Sequence, residues 1–576
     1  MGDFYQTADS VPDNAKLMTR DLNHLKSSFD VVIIGGGISG AWLALHSSQQ
    51  GFKTALIEQS DFASQTSSAS SKLLHSGIRY LQQMQFGRVR ESAIERANFI
   101  YAAPHLSTSV PFAVPTYKDF ARSKLFLNCG MLAYRMLCIG ENSIIASKEQ
   151  KLAPIKSISA QQLDDICPVG DEQNTGAVVF HERHMQDSER MVWEILQTAQ
   201  HAGAVVVNHV RAEKILIEEN KTYGVSARDQ LSNENLEIKS RVVVNAAGPW
   251  IDELNIPLNS STNKQSINGF AVGSHIVCRQ ISDHAIAITT KLKSDTKIDR
   301  GGRHIFIIPW RGFSLVGTSY DEIKKPRLDM VIQPSHAQQL IQAVNDTLPD
   351  IKLTRDDLIS GYSGLYPLKT DNIKSQTYQG SGEYQIIDHA KSDNIEGMIT
   401  ALGAKYTTGR KLSSLAIPIV ANKLGKASQT ITKSKLKCSQ YSDLSTFKKA
   451  KLEQYIDRFS KKLLLHLITT YGSNIDNFID SLNDSLLTSV CQSQADILGQ
   501  IKWAIDHEQA YLLNDVLFGR TSLGLLGISD NEIETIALFM AKELSWSDDF
   551  LQQQLQGALQ QQQEIKESLD AAYQLG

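Results

Sequence analysis

The stretch FDVVIIGGGISG at residues 29–40 constrains this chain more than any other. A continuous β-branched run is the signature of a strand buried on both faces of a parallel sheet, and this one leads directly into glycines. Gly35, Gly37 and Gly40 satisfy the spacing GxGxxG at the start of a helical segment, residues 38–50. Gly35 permits the tight turn, Gly37 lets the backbone approach a pyrophosphate, and Gly40 packs helix on strand. The helix N-terminus then presents free N–H groups to the anion. Residues 53–58, KTALIE, read as the next strand, so 29–58 form one βαβ unit. Glu58 lies 18 residues after Gly40, where a carboxylate binds ribose hydroxyls and disfavours a 2′-phosphate. The motif predicts a dinucleotide without choosing between FAD and NAD.

At 576 residues the chain holds two to four domains of roughly 100 to 200 residues each. Hydrophobic residues at 42% and charged residues at 21% are globular values and exclude a largely disordered or fibrous protein. A formal net charge of −4 points away from nucleic acid, whose dedicated binders carry a basic domain or stripe. The first thirty residues mix acids, bases and Pro without an apolar core, so no secretory signal is read and a cytoplasmic location is expected. The six cysteines show no metal-ligand spacing and are expected reduced, with no disulfide and no metal site. Glycines interrupt the longest apolar run, residues 31–45, so no spanning helix is expected.

Further along, residues 87–103 have helical periodicity, with Val89, Ala93, Ala97 and Ile100 on one face and Glu91, Glu95 and Arg96 on the other. A helix at 187–202 precedes strands at 204–208, 214–218 and 241–246, the last ending in AAGPW. Strands predominate from 274 to 318, and the chain from 431 onward reads as helical. The glutamine tract at 552–563 reads as a solvated helix face, beside Leu551, Leu555 and Leu559 at spacings of four.

The stretch TSSASSKLLHSGIRYL at 66–81 is rich in hydroxyls and carries Lys72, His75, Arg79 and Tyr80. Together with GGGISG, AAGPW, GSHIV (273–277), IIPW and GTS (307–319), YSG and PL (362–368), GAKYTTGRKL (403–412), TYGSN (470–474) and DHE (506–508), it resembles the FAD-dependent glycerol-3-phosphate dehydrogenases and oxidases. These belong to the wider D-amino-acid-oxidase-like flavoproteins, and the resemblance runs from about residue 30 to 567. It implies an α/β fold: a Rossmann-like FAD-binding domain (29–105, 180–270 and 360–430) interleaved with a mainly antiparallel substrate domain (106–179 and 271–359). An N-terminal extension (1–28) and a C-terminal helical domain (431–576) complete it.

By the same resemblance, Gly35 to Gly40 and Glu58 hold the ADP half of FAD. Ser67, Ser68, Ser70, Ser71 and Lys72 wrap the pyrophosphate and flavin, with Gly248, Gly403, Thr407 and Thr408 completing the cofactor site. The implied reaction oxidises a secondary alcohol by hydride transfer to flavin N5, with electrons passed on to quinone or oxygen. A neutral imidazole suits the proton-accepting role near neutral pH. His75 is the first candidate base, and His275 binds or polarises the oxygen. Arg79 forks onto the substrate anion, Tyr80 packs or binds beside it, and Lys405 either tunes the flavin or holds substrate.

The chain departs from its family where substrate phosphate is bound. The family motif SGxRPL reads SGLYPL, with Tyr366 for Arg; Gly382 replaces a second Arg, and Val272 stands where a Lys is usual. Charged hydrogen bonds are worth roughly 1.5–3 kcal/mol, so losing both arginines costs about two to four decades in phosphate affinity unless other cations compensate. Arg79 and Arg303 remain as anion partners, and Lys369 or Lys374 is a further source of charge. The alternative is a paralogue that oxidises an unphosphorylated alcohol or amine; a flavin-holding scaffold without turnover is a more distant reading. The Lys-rich segment 433–462 reads first as solvated and second as a contact for anionic lipid at the cytoplasmic face of the membrane. Oligomeric state is left open, a homodimer included.

Overall fold

A computed structural model describes residues 20–75, 77–256, 266–289, 304–327, 331–368 and 384–575, with Arg79 and Gln82 described by their backbones alone. Strand β1 (Ser28–Ile34), helix α1 (Ile38–Gln49) and strand β2 (Thr54–Ile57) form the expected unit. β1 pairs in parallel with β2 on one side and with Asn235–Asn245 on the other. The sheet continues through Met398–Leu402 at one end and Val205–Val207 at the other, both also parallel to their neighbours. Helix α1 is buried along nearly its whole length because it is enclosed from both sides. Trp42 and Leu45 share a core with Trp193 and Leu196 of the helix Ser188–His201, and with Leu412 and Ala416 of the helix Gly409–Leu424.

Among the described residues a second sheet of ten strands is antiparallel except where Ala285–Thr289 runs parallel to Ser107–Tyr117. Residues 360–368 were expected among the segments of the FAD-binding domain; they belong to the strand Leu358–Leu368, which pairs along its length with Gly269–Arg279 in this second sheet. Its glycines explain the fit. A Cβ on Gly361 would meet Ile332 at 2.7 Å, and one on Gly364 would meet Ala69 at 2.7 Å.

The periodicity of helix α2 (Phe86–Ala102) is met on its apolar face, where Val89, Ala93, Ala97 and Ile100 are buried. The opposite face departs from expectation. Glu95 and Arg96 are buried too, because the guanidinium of Arg410 engages Glu95 while Arg96 donates to Glu141, Glu182 and the Tyr134 hydroxyl. The C-terminal part is helical, from Leu444–Tyr455 to the long helix Asp548–Gln574. There Leu551, Leu555 and Leu559 pack inward, and most of the glutamines are exposed. No helix among the described residues is long and apolar enough to cross a membrane.

Candidate active site

The loop between β1 and α1 is a close-packed backbone surface. Gly35 has φ +107°, and a Cβ there would lie 2.6 Å from the Ala246 carbonyl oxygen; on Gly40 a Cβ would lie 1.8 Å from the Gly35 oxygen. Ser67 Oγ accepts the N–H of Ile38, the first residue of α1, at 3.0 Å. The Glu58 carboxylate accepts from the Gly36 N–H at 2.6 Å and from the Ser60 N–H at 2.9 Å. Burial raises its pKa, and these two backbone donors oppose the rise. Each carboxylate oxygen keeps a further lone pair for a ligand hydroxyl.

This loop forms one end of a continuous cavity of about 480 Å³, within the usual size range for cofactor and ligand sites. Gly35, Gly37, Glu58, Ser67, Ser70, Ser71, Gly248, Gly403 and Thr407 line it, as do His75, His275, Lys405, Tyr80 and Tyr366. Gly40, Ser68 and Thr408 do not: Gly40 sits behind the loop, Ser68 Oγ donates to the Gln65 carbonyl and Thr408 Oγ1 to the Lys405 carbonyl. Lys72 is also absent from the lining. Its ammonium is fully buried against Glu189 Oε1 at 2.5 Å and Ser188 Oγ at 3.3 Å, so its charge is neutralised in the protein interior. The Arg79 side chain, Arg303, Lys369, Lys374 and Gly382 lie outside the described residues.

The two histidines occupy different environments. His275 is stacked on Tyr362 with ring centroids 5.0 Å apart, and a Cβ on Gly317 would come within 2.3 Å of its ring. Its Nε2 shares a 2.9 Å hydrogen bond with Ser71 Oγ, and Nδ1 is buried without a partner among the described residues. Burial, helped by the Lys72 charge, lowers its pKa to about 3, so the ring is neutral at every working pH. His75 is only half-buried, at the end of the strand Leu73–Leu74, with its ring 5.8 Å from that of Phe306.

Lys405 lies with its Nζ 3.8 Å from the centre of the Tyr80 ring and donates to Ser92 Oγ at 3.3 Å. Burial, with the nearby Arg88 charge, lowers its pKa to about 8. Sequence reasoning passed over two further lining groups as site residues. Ser319, whose fully buried Oγ has no partner among the described residues, was signalled by the GTS match; His304 was marked by nothing around it.

An extended cofactor with a pyrophosphate fits this chain. Glycine backbone faces the cavity at Gly35, Gly37, Gly248 and Gly403, Glu58 stands at one end, and His75 and Lys405 belong to the same space. A family model described as FAD dependent oxidoreductase matches residues 30–410, and one described as the C-terminal domain of alpha-glycerophosphate oxidase matches residues 430–550. The glycerol-3-phosphate dehydrogenase of Synechocystis sp. is 29% identical over 518 residues, covering 87% of this chain and 90% of its own. The aerobic glycerol-3-phosphate dehydrogenase of Staphylococcus aureus is 29% identical over 556 residues, covering 92% and 94%. The crystal structure of glycerol-3-phosphate dehydrogenase from Bacillus halodurans, complexed with FAD, shares the fold with a TM-score of 0.73 at 24% identity, over 94% of this chain and 96% of that one. Since the first family model spans the glycine loop, the cavity and most of both sheets, the chain belongs to the FAD-dependent oxidoreductases.

Proposed function

We propose that this protein oxidises glycerol 3-phosphate, as its relatives' names indicate for them. The observation that carries the reading is the single cavity that joins the pyrophosphate loop to His75, His275 and Lys405. FAD supplies the hydride acceptor. His75 takes the hydroxyl proton, His275 orients the substrate oxygen as a neutral imidazole, and Lys405 supplies positive charge for the substrate anion beside Tyr80. The unphosphorylated substrate class suggested by Tyr366 and Gly382 finds no support among the relatives.

Anaerobic mixing of the flavin-loaded protein with glycerol 3-phosphate, followed by oxidised-flavin absorbance, tests this reading. Bleaching at sub-millimolar substrate is expected, and persistent colour would overturn it. Repeated across pH, the half-saturating concentration should rise above about pH 8, because Lys405 loses its charge as pH climbs through its lowered pKa. Phosphate stays dianionic there, its second pKa being about 6.

We also propose that electrons leave to quinone or oxygen and that the protein meets anionic lipid at the cytoplasmic face of the membrane. The contact is assigned to helix α3 (Lys124–Leu137) rather than to the Lys-rich segment. In that segment Lys433 covers the Tyr101 ring, Lys435 donates to the Tyr441 carbonyl and Lys451 pairs with Asp476. α3 buries Leu127, Met131 and Tyr134 while exposing Leu125, Leu132 and Met136, and Phe120 and Ile139 extend the apolar stripe beyond its ends. Exposed Lys118 and Arg135 border the stripe and the helix contains no acid, the composition of an interfacial helix on anionic lipid. Arg90 of α2 donates to the Leu137 and Ile139 carbonyls, which joins the stripe to exposed Met84 and Phe86, next to the cavity wall at Tyr80 and Gln83. Leu132→Asp/Met136→Asp should abolish co-sedimentation with phosphatidylglycerol vesicles. Equal binding by the variant and the parent would remove this surface.

A further inference from the structure

The C-terminal helical segment packs on the loop that follows Glu58 of the cofactor site. The loop after Glu58 is held from both sides. Ala63 N–H donates to the Gly36 carbonyl, while the N–H groups of His209 and Val210 donate to the Ser60 and Glu58 carbonyls. Gln59, Ala63 and Ser64 of this loop line the cavity beside Glu58. Its only acid between Glu58 and Ser64, Asp61, is buried and faces away from solvent into the C-terminal segment.

There a π-helical turn, Asp515–Arg520, supplies both of its charged ends. Arg520 forks onto Asp61 with Nη1–Oδ2 at 2.6 Å and Nη2–Oδ1 at 2.9 Å, across 459 residues of chain. Asn208 Nδ2 donates to the same carboxylate at 3.0 Å. Asp515 Oδ2 accepts from the Tyr511 and Leu512 N–H groups at 2.9 Å and bonds His209 Nε2 at 3.0 Å. A Cβ on Gly519 would lie 2.3 Å from Asp61 Oδ2, so the turn's backbone closes directly over the carboxylate. The Arg520 guanidinium also lies 4.7 Å from the centre of the Trp193 ring, which in turn packs on Phe62 in the loop. Asp61, His209 and Asp515 present ligand atoms within 4.8 Å of one another, and Arg520 provides a positive charge at that cluster.

The two segments that meet this turn, at 58–63 and 207–210, are those that carry Glu58 and Val210 into the cavity wall. π turns are rare and occur frequently at functional sites. An ion pair of two buried groups adds little net stability over apolar packing, so its retention is better explained by the geometry it imposes.

We infer that Arg520 and Asp515 are positioning residues for FAD: through Asp61 and His209 they hold the Glu58 loop in its cofactor-receiving shape, making the C-terminal segment part of the cofactor site. This role rests on the FAD assignment and adds a second segment to it. It differs from that of the histidines, since it governs retention of the cofactor and not turnover of substrate.

The FAD dissociation constant of deflavinated protein, read from quenching of flavin fluorescence, tests this role, with far-UV circular dichroism and apoprotein melting recorded alongside. Arg520→Gln and Asp61→Asn should each weaken FAD by about tenfold, the low end for a charged hydrogen bond. The double variant should be no weaker than either single one, because both remove one interaction. Asp515→Asn, which keeps the size of the side chain, should weaken FAD as well if Arg520→Gln fails to fold. The Michaelis constant for glycerol 3-phosphate at saturating FAD should not move. FAD affinity within twofold of the parent in all variants would overturn the inference, as would a lower apoprotein melting temperature with unchanged affinity. Parent protein that binds no FAD would instead overturn the cofactor assignment itself.

Discussion

Replacing His75 with Ala should slow flavin reduction in a single anaerobic turnover by at least about a hundredfold, the lower end of general-base contributions, while leaving FAD bound. The two imidazoles assigned to the reaction, His75 and His275, differ in what they can do with a proton. His275 is buried between Tyr362 and Gly317, its pKa lowered to about 3, and its Nε2 already bonded to Ser71. A group that basic only below pH 3 accepts a proton poorly near neutrality, when the driving force for transfer counts against it. His75 is half-buried and lines the same cavity. Cofactor retention should be spared because the pyrophosphate loop and Glu58 lie in other segments, held by the Ile38, Gly36 and Ser60 N–H groups. Stopped-flow absorbance at saturating glycerol 3-phosphate checks this, and a loss of less than tenfold would remove His75 as the base.

What could be read in the sequence was whatever local chemistry encodes. β1 and its glycine loop were legible because burial on both faces leaves an unbroken β-branched run, and because Gly35 and Gly40 stand where any Cβ would meet backbone. The convergence of His75, His275 and Lys405 was reachable through family motifs alone, since 200 and 130 residues or so of sequence separate them and no period links such positions. Charges were the hardest to place. Lys72 looks like a phosphate ligand until Glu189, 117 residues later, is seen to neutralise it. Glu95 and Arg96 fall on what periodicity calls the wet face of α2, but their partners come from elements as far as 315 residues away. Helical period distinguishes apolar from polar faces; it does not distinguish water from a buried counter-ion. The exposed stripe of α3 was hidden for the opposite reason. Its sequence carries apolar residues over more of its circumference than one buried face needs, and the exposed side shows only once Leu127, Met131 and Tyr134 are known to face the core.

Arg96→Met should be the most destabilising single change in α2. The guanidinium is fully buried and donates from Nε and Nη2 to Glu141 at 2.6 and 2.7 Å, from Nη1 to Glu182, and to the Tyr134 hydroxyl at 3.1 Å. Methionine fills part of the space but removes the guanidinium shared by two buried carboxylates, leaving them only the more distant attraction of the Arg183 charge among the described residues. Breaking a buried pair from one side costs about 3–5 kcal/mol, which for a domain of this size lowers the apparent melting temperature by roughly 10 °C. Activity should suffer beyond the loss of folded protein, because α2 also carries Ser92, the hydroxyl that holds the Lys405 ammonium. Adding Glu141→Gln and Glu182→Gln to Arg96→Met separates the causes. If unpaired charge is responsible, the triple variant should recover much of the lost melting temperature, since neutral amides need no counter-ion. No recovery would assign the loss to packing around Met, and a single variant as stable as the parent would mean that water reaches Glu141 and Glu182 once the guanidinium is gone.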